Sequence, residues 1–144
     1  MQVRNIMTTD VSTVQETDSL LDVTMLFVQT HFRHIPVVRG KELVGIVTER
    51  DIKQAVPSLM ARAGGEDAYN TVMESTPISR VMTRNPITVS PEQHVFEAAN
   101  ILYTRHIGCL PVVENGELKG FLSTTDMLRL LVQMMLEQGL GPAA

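Results

Sequence analysis

The chain carries one pattern twice. Residues 3–52 align with residues 78–127 at a constant offset of 75, without a gap, giving twelve identities over fifty positions. Met7-Thr8 falls on Met82-Thr83, Thr13-Val14 on Thr88-Val89, His31 on His106 and Pro36-Val37-Val38 on Pro111-Val112-Val113. Glu42-Leu43 falls on Glu117-Leu118, Gly45 on Gly120 and Asp51 on Asp126. Most other pairs keep apolar character. An internal repeat constrains the fold more than any local propensity. One structural unit is used twice, the two copies are expected to relate by a pseudo-two-fold axis, and a site at their interface would come as a matched pair.

The 144 residues suffice for one compact domain or for two halves sharing a core. Aromatics make up 4% and Trp is absent, so the core must be filled by Val, Ile, Leu and nine Met. Methionine makes such a core adaptable. The net charge of −4 argues against broad nucleic-acid binding, which needs a basic surface. A single cysteine, Cys109, cannot form an intramolecular disulfide and suits a reducing compartment. The opening MQVRNIMTTD has no apolar signal-peptide core. The longest apolar stretch, Leu128–Leu136, is broken by Arg129 and Gln133 and is too short to cross a bilayer. These features predict a cytoplasmic protein with neither membrane nor nucleic acid as partner.

Each copy reads as a short lead, a strand, a helix, a hairpin and a second helix. The first strand is expected at Val11–Val14 and at Pro86–Val89. In copy one Thr17 or Asp18 is the expected cap of the following helix, with Leu20, Val23 and Phe27 on one stripe. In copy two Ser90 is the expected cap, with Pro91 at the first helical position and Gln93 completing a Ser-x-x-Gln box. The hairpin strands are Arg33–Val38 with Leu43–Thr48, and Leu110–Val113 with Leu118–Ser123; Asn115-Gly116 is a strong turn signal. Pro36 and Pro111 fall inside the first strand of each hairpin. Proline donates no ladder bond, so that position must lie at an edge or a strand start. Copy one's last helix is expected to stop before Pro57. Copy two's runs from Thr124 to Gln138 with Gly139 as its stop, and its apolar residues cover more than one face, which suits an oligomer interface. The domain plan is repeat 1 at 1–56, a linker or insertion at 57–77 with a short helix near Ala68–Met73, repeat 2 at 78–138 and a tail at 139–144.

Two segments carry the chemistry: Gly45-Ile-Val-Thr48-Glu-Arg50-Asp51 and Gly120-Phe-Leu-Ser123-Thr-Thr125-Asp126. Each is an apolar strand running into a hydroxyl residue, with an aspartate three residues later at a helix head. Unpaired backbone N–H groups and a partial positive charge there attract phosphate. A carboxylate accepts the two hydrogen bonds that a ribose diol donates, and Arg50 can grip phosphate as a fork. Thr125 replaces Arg50 in copy two, which weakens its charge complement. The same Thr/Ser-x-x-Asp pattern is also a capping box that needs no ligand.

The run Ile6-Met7-Thr8, Thr13-Val14, Arg33-His34-Ile35-Pro36-Val37-Val38 and Gly45-Ile46-Val47-Thr48-x-x-Asp51 resembles the CBS domain, named for cystathionine beta-synthase. Val81-Met82-Thr83, Pro86–Pro91, Ile107–Val113 and Gly120–Asp126 match it a second time, and the two copies span nearly the whole chain. The Ala55-Val56-Pro57-Ser58 continuation and long linker are similar to small stand-alone CBS pairs of the acetoin-utilisation type. The resemblance implies an α/β (α+β) fold of tandem β-α-β-β-α repeats packed with pseudo-two-fold symmetry. It implies clefts that bind adenosyl ligands, namely AMP, ADP, ATP or S-adenosylmethionine, with no cofactor required. Carried over by position, Thr48 and Asp51 would hold ribose and phosphate in one cleft with Arg50 near phosphate, and Ser123 and Asp126 in the other. The base would lie against His34-Ile35 or Cys109-Leu110 and the first strand of the opposite copy, Pro86–Thr88 or Val11–Thr13. Arg33 and His34 could supply phosphate charge; Gly108 and Cys109 cannot. One cleft is therefore expected to favour a polyphosphate and the other to bind weakly or stay empty.

The four histidines lack metal-ligand spacing. His31 and His106 end equivalent helices, where an imidazole can bond terminal carbonyls. Cys109 reads as a small buried hydrophobe rather than a nucleophile. There is no Ser-His-Asp set, Walker loop or dinucleotide fingerprint, so no enzyme is expected. The expected function is a regulatory adenosyl-binding module, homodimeric through repeat helices including 124–138, that signals to a protein target by conformational change. The alternatives are a structural dimerisation module with degenerate clefts and a nucleic-acid-associated regulator.

Overall fold

A computed structural model describes residues 1–143. The chain divides into two compact units, Ser12–Pro86 and Met1–Val11 with Ile87–Ala144. The first unit holds β1 (Val14–Gln15), α1 (Leu20–Thr30), β2 (His34–Arg39), β3 (Glu42–Thr48), α2 (Glu49–Ala63), α3 (Ala68–Ser75) and β4 (Thr83–Arg84). The second holds α4 (Val95–Arg105), β5 (Cys109–Glu114), β6 (Glu117–Ser123) and α5 (Thr124–Glu137). Each unit therefore combines the body of one repeat with the lead of the other. The leads correspond: 3-10 turns form at Val3–Asn5 and at Ile78–Arg80, again 75 residues apart.

The two units share one strand plan. In the first, β1 runs parallel to β2, β2 and β3 form an antiparallel hairpin, and β4 pairs antiparallel with β3 at Ile46↔Thr83. In the second, β5 and β6 form the hairpin, Val89 bridges parallel to Val112, and Thr8 bridges antiparallel to Phe121. The strand expected at Val11–Val14 thus lies later and shorter, at Val14–Gln15, and that at Pro86–Val89 reduces to the single Val89 bridge. The Asn115-Gly116 turn forms as the sequence requires, with φ of 52° and 80°. Those two left-handed residues make the turn whose twist matches the strands.

Both prolines point their nitrogens away from the hairpin ladder. Val89 donates to the Pro111 carbonyl at 3.1 Å, and Val113 donates to the Val89 carbonyl at 2.8 Å. A strand residue's N–H and C=O lie on the same side, so the missing N–H of Pro111 faces the short outer strand rather than β6. Val38, of the same parity as Pro36, likewise offers its carbonyl outward to Glu16 at 3.1 Å.

The helices show where tertiary contacts override local signals. α1 begins at Leu20, capped by Ser19, whose side chain accepts from the Asp22 N–H, and not by Thr17 or Asp18. α4 begins at Val95 with His94 as cap, not at Ser90-Pro91. Gln93 does reach back to the Ser90 N–H at 2.8 Å, but this closes a turn. The reason lies in the lead: Val3 and Arg4 donate to the carbonyls of Gln93 and Pro91, and Val95 donates to that of Met1. Those backbone groups are spent on the lead before the helix can use them. α2 does not stop before Pro57; it runs fifteen residues through it to Ala63. α5 ends as expected, with Gly139 at φ 72°. Gly139 donates to the Leu136 carbonyl and Leu140 to that of Met135, the paired bonds of a Schellman stop.

Each unit has its own core. Leu20, Val23 and Phe27 of α1 pack with Ile35, Val37 and Val47 of the hairpin in the first. Val3, Ala98, Leu102, Leu110, Val112 and Leu122 form the second. No helix among the described residues is long and apolar enough to cross a membrane.

Candidate functional site

The two aspartates sit where strand meets helix, and local chemistry puts them there. β3 ends at Thr48 in extended backbone; its hydroxyl accepts from the Asp51 N–H at 3.1 Å, and the Asp51 carboxylate accepts from the Thr48 N–H at 2.8 Å. Ser123 and Asp126 make the same reciprocal box at the head of α5, at 3.2 and 2.8 Å. The capping role read from the sequence is thus present in both copies. What each carboxylate has left over differs.

Asp51 is half-buried, and the Thr48 bond is the one hydrogen bond it accepts among the described residues. His34 lies directly across the hairpin from Thr48 and close enough to feel the charges of Asp51 and Arg33; Arg50, in the first turn of α2, and Arg33 are both exposed. Neither arginine forms an ion pair among the described residues. Burial pushes the His34 imidazole below its ordinary value, opposed by the nearby Asp51 charge and reinforced by Arg33. Burial thus weakens the positive charge that His34 can offer beside Asp51.

Asp126 is 4% exposed. Its Oδ2 accepts from the Ser123 N–H and from the Ser123 hydroxyl at 3.0 Å. Its Oδ1 accepts from the Thr8 hydroxyl and from Arg129 Nη1, both at 3.1 Å. Cys109 lies across from Ser123 on β5, and burial pushes its thiol up to about 12. Thr8 and Arg129 escaped the sequence reading. A basic residue three positions after Asp126, on the same helix face, was the available signal for Arg129.

The structure thus brings Thr48, Arg50, Asp51, Arg33, His34 and Ile35 together in the first unit, and Ser123, Asp126, Cys109 and Leu110 in the second. Ile35 and Leu110 are fully buried, so a planar base would meet no side-chain surface of theirs. Strand alternation gives the outward-facing backbone groups to His34 and Cys109, which share the parity of Pro36 and Pro111. Thr13 and Pro86 belong to the first unit, Val11 and Thr88 to the second. Thr13 and Thr88 are exposed; Val11 and Pro86 are half-buried. His31 and His106 end α1 and α4 in left-handed backbone at φ 59° and 54°. They act as caps through that conformation, which histidine tolerates better than most residues. Their imidazoles make no hydrogen bond to terminal carbonyls among the described residues, contrary to expectation. No group of three or more His, Cys, Asp or Glu among those residues is placed to hold a metal.

A family model described as the CBS domain matches residues 3–58 and again 78–133. Among curated proteins the chain is 30% identical to the CBS domain-containing protein YhcV of Bacillus subtilis, over 98% of this chain and 91% of that one. Some relatives are far longer: the chain spans 24% of a homoserine O-acetyltransferase of Methanococcus vannielii, at 32% identity over 87% of its own length. Among solved structures it is similar to a Vibrio cholerae protein assigned to acetoin utilization (AcuB), with TM-score 0.80 and 27% identity over 99% and 98% of the two chains. It is also similar to the CBS domain pair of protein MJ0100 in complex with 5′-methylthioadenosine and S-adenosyl-L-methionine. That match has TM-score 0.73 and 25% identity over 93% and 98% of the two chains.

Proposed function

The chain belongs to the CBS domain family, and on that premise we propose that it is a non-catalytic regulatory module that binds an adenosyl ligand. The ligand class is AMP, ADP, ATP or S-adenosylmethionine. The observation that carries this reading is the unspent Asp51 carboxylate at a helix head that also carries the unpaired Arg50, with the unpaired Arg33 next to His34 across the hairpin. An ionised carboxylate has about four lone-pair sites. Asp51 uses one, leaving room for the two hydroxyls of a ribose. Arg50, Arg33 and the first N–H groups of α2 suit the attached phosphate. Thr48 adds a hydroxyl, and the outward backbone of His34 suits the edge of a base. Pro86, Thr88, Val11 and Thr13 are proposed to complete the base contacts, with Ile35 and Leu110 as their buried support. The adenosyl molecules bound by the MJ0100 pair support the ligand class.

Homodimerisation through the repeat helices is the second part of the reading. α5 leaves Leu128, Leu131, Val132 and Leu136 at least half exposed, an apolar face that a second copy would cover. The lone, deeply buried cysteine suits a reducing, cytoplasmic setting. Ligand binding would tilt one copy against the other and so signal to a protein target.

Thermal denaturation with AMP, ATP, 5′-methylthioadenosine and S-adenosylmethionine tests the ligand. A ligand that binds the native state raises the midpoint by mass action. Asp51→Asn, which keeps an oxygen for the Thr48 N–H, should abolish the rise. No rise with any of the four at millimolar concentration overturns the reading and leaves a structural dimerisation module.

A further inference from the structure

We infer that Thr8 and Arg129 decide which of the two aspartates takes a ligand, by holding the Asp126 carboxylate shut with groups of the chain itself. This rests on the reading of Asp51 as a diol acceptor. Asp126 accepts four hydrogen bonds, from the Ser123 N–H, the Ser123 hydroxyl, the Thr8 hydroxyl and Arg129. Four is the whole capacity of a carboxylate. The Thr8 hydroxyl occupies Oδ1 as a sugar hydroxyl would, and Arg129 neutralises the charge from the flank. Asp51, at the matching position of the other repeat, accepts one.

The repeat alignment isolates the cause. Arg129 corresponds to Gln54, which is neutral. Thr8 corresponds to Thr83, and the two backbones pair alike, Thr8 with Phe121 and Thr83 with Ile46. Both threonines are exposed, but Thr83 makes no bond to Asp51 among the described residues, whereas the Thr8 hydroxyl reaches Asp126. The basic residue has in effect moved. In the first repeat it is Arg50, exposed and without an ion pair among the described residues; in the second it is Arg129, bonded to the carboxylate. A ligand diol at Asp126 must displace Thr8 and free Arg129. Thr8 sits on the 1–11 lead, held by reciprocal 2.8 Å backbone bonds with Phe121. Entry at Asp126 thereby breaks a side-chain tie between the N-terminal lead and the head of α5, whereas entry at Asp51 breaks no such tie.

Two measurements test this. The first is stoichiometry by equilibrium dialysis with radiolabelled AMP and 5′-methylthioadenosine. The wild type should bind one molecule per chain, and Asp51→Asn none. Thr8→Val with Arg129→Gln should bind two, and should keep one when Asp51→Asn is added. Two per chain in the wild type, binding that survives Asp51→Asn alone, or a double variant that stays at one, overturns the inference. The second needs no ligand. Hydrogen exchange at the Thr8 and Phe121 amides should quicken about five-fold in Thr8→Val, the effect of losing one net hydrogen bond, while the Thr83 amide is unchanged. Unaltered exchange at Thr8 and Phe121 overturns the latch. If neither nucleotide binds any form while exchange quickens as stated, the adenosyl reading fails and the latch stands.

Discussion

Gly120 lies so close beneath the N-terminal lead that a Cβ there would sit 2.6 Å from the carbonyl oxygen of Thr8. The matching Gly45 stands 2.9 Å, by the same measure, from the carbonyl of Thr83 and 2.6 Å from Met82 Sδ. Neither glycine has a positive φ, so backbone freedom is not the reason for its place. Close approach is: Thr8 bonds Phe121, and β4 pairs with Gly45-Ile46, so the lead crosses its partner strand directly over a residue that must have no side chain.

Gly120→Ala should therefore destabilise the fold by about 1–3 kcal/mol, the usual cost of forcing one carbon into a filled space. Gly45→Ala should cost less, because the Met82 sulfur can swing aside while the Thr83 carbonyl moves slightly. Urea midpoints check both. A Gly120→Ala midpoint equal to the wild type would show that the lead is not held against β6.

Pro57 sits nine residues into α2, where it removes an N–H and leaves the Lys53 carbonyl without its donor. It also borders a cavity of about 250 Å³ between α1, α2 and α3, lined by Thr24, Ile52, Val56 and Tyr69 among others. Pro57→Ala restores the bond. It should stabilise the protein by about 1–3 kcal/mol, given the roughly 3 kcal/mol by which proline disfavours a helix interior. A lower melting temperature would mean that the ring's packing outweighs the missing bond.

The repeat, the hairpins and the two aspartates were legible because each rests on a short-range rule. Offset identity marks the unit, Asn115-Gly116 marks its turn, and Thr/Ser-x-x-Asp marks the helix head. The helix starts were misread because Ser90 and Asp18 obey a second rule that no local pattern carries. Their neighbours' backbone groups bond the leads, through pairs such as Val3 with Gln93 and Ile78 with Asp18, at separations of 60 residues or more. The run of α2 through Pro57 was hidden for a like reason: α3, packed against it, compensates for a breaker that would end an isolated helix. The identity of Asp126's partners was half visible. Arg129 is one helical turn away and could have been read, but Thr8 reaches Asp126 across 118 residues of chain.

Cys109 is the chain's one cysteine, 9% exposed and with its thiol pushed up to about 12 by burial. Only the thiolate is a good nucleophile. The native protein should resist iodoacetamide at mildly alkaline pH, while the urea-unfolded chain reacts at the rate of a free cysteine. Rapid alkylation of the folded protein would mean that β5 opens at its start, beside Ser123.

His34 sets a pH dependence whose sign follows from its surroundings. Burial lowers its folded-state value below the ordinary 6.5, and Asp51 only partly offsets this. Below pH 6.5 the unfolded chain therefore binds a proton more readily than the folded one. Stability rises with pH wherever the unfolded state holds more protons. The His34 contribution is complete above 6.5 and is lost progressively as pH falls below it. His34→Gln should flatten that part of the urea-midpoint profile and leave the profile above 6.5 parallel to the wild type. An imidazole signal of His34 titrating above 6.5 by NMR would reverse the sign and show Asp51, not burial, to be the stronger influence.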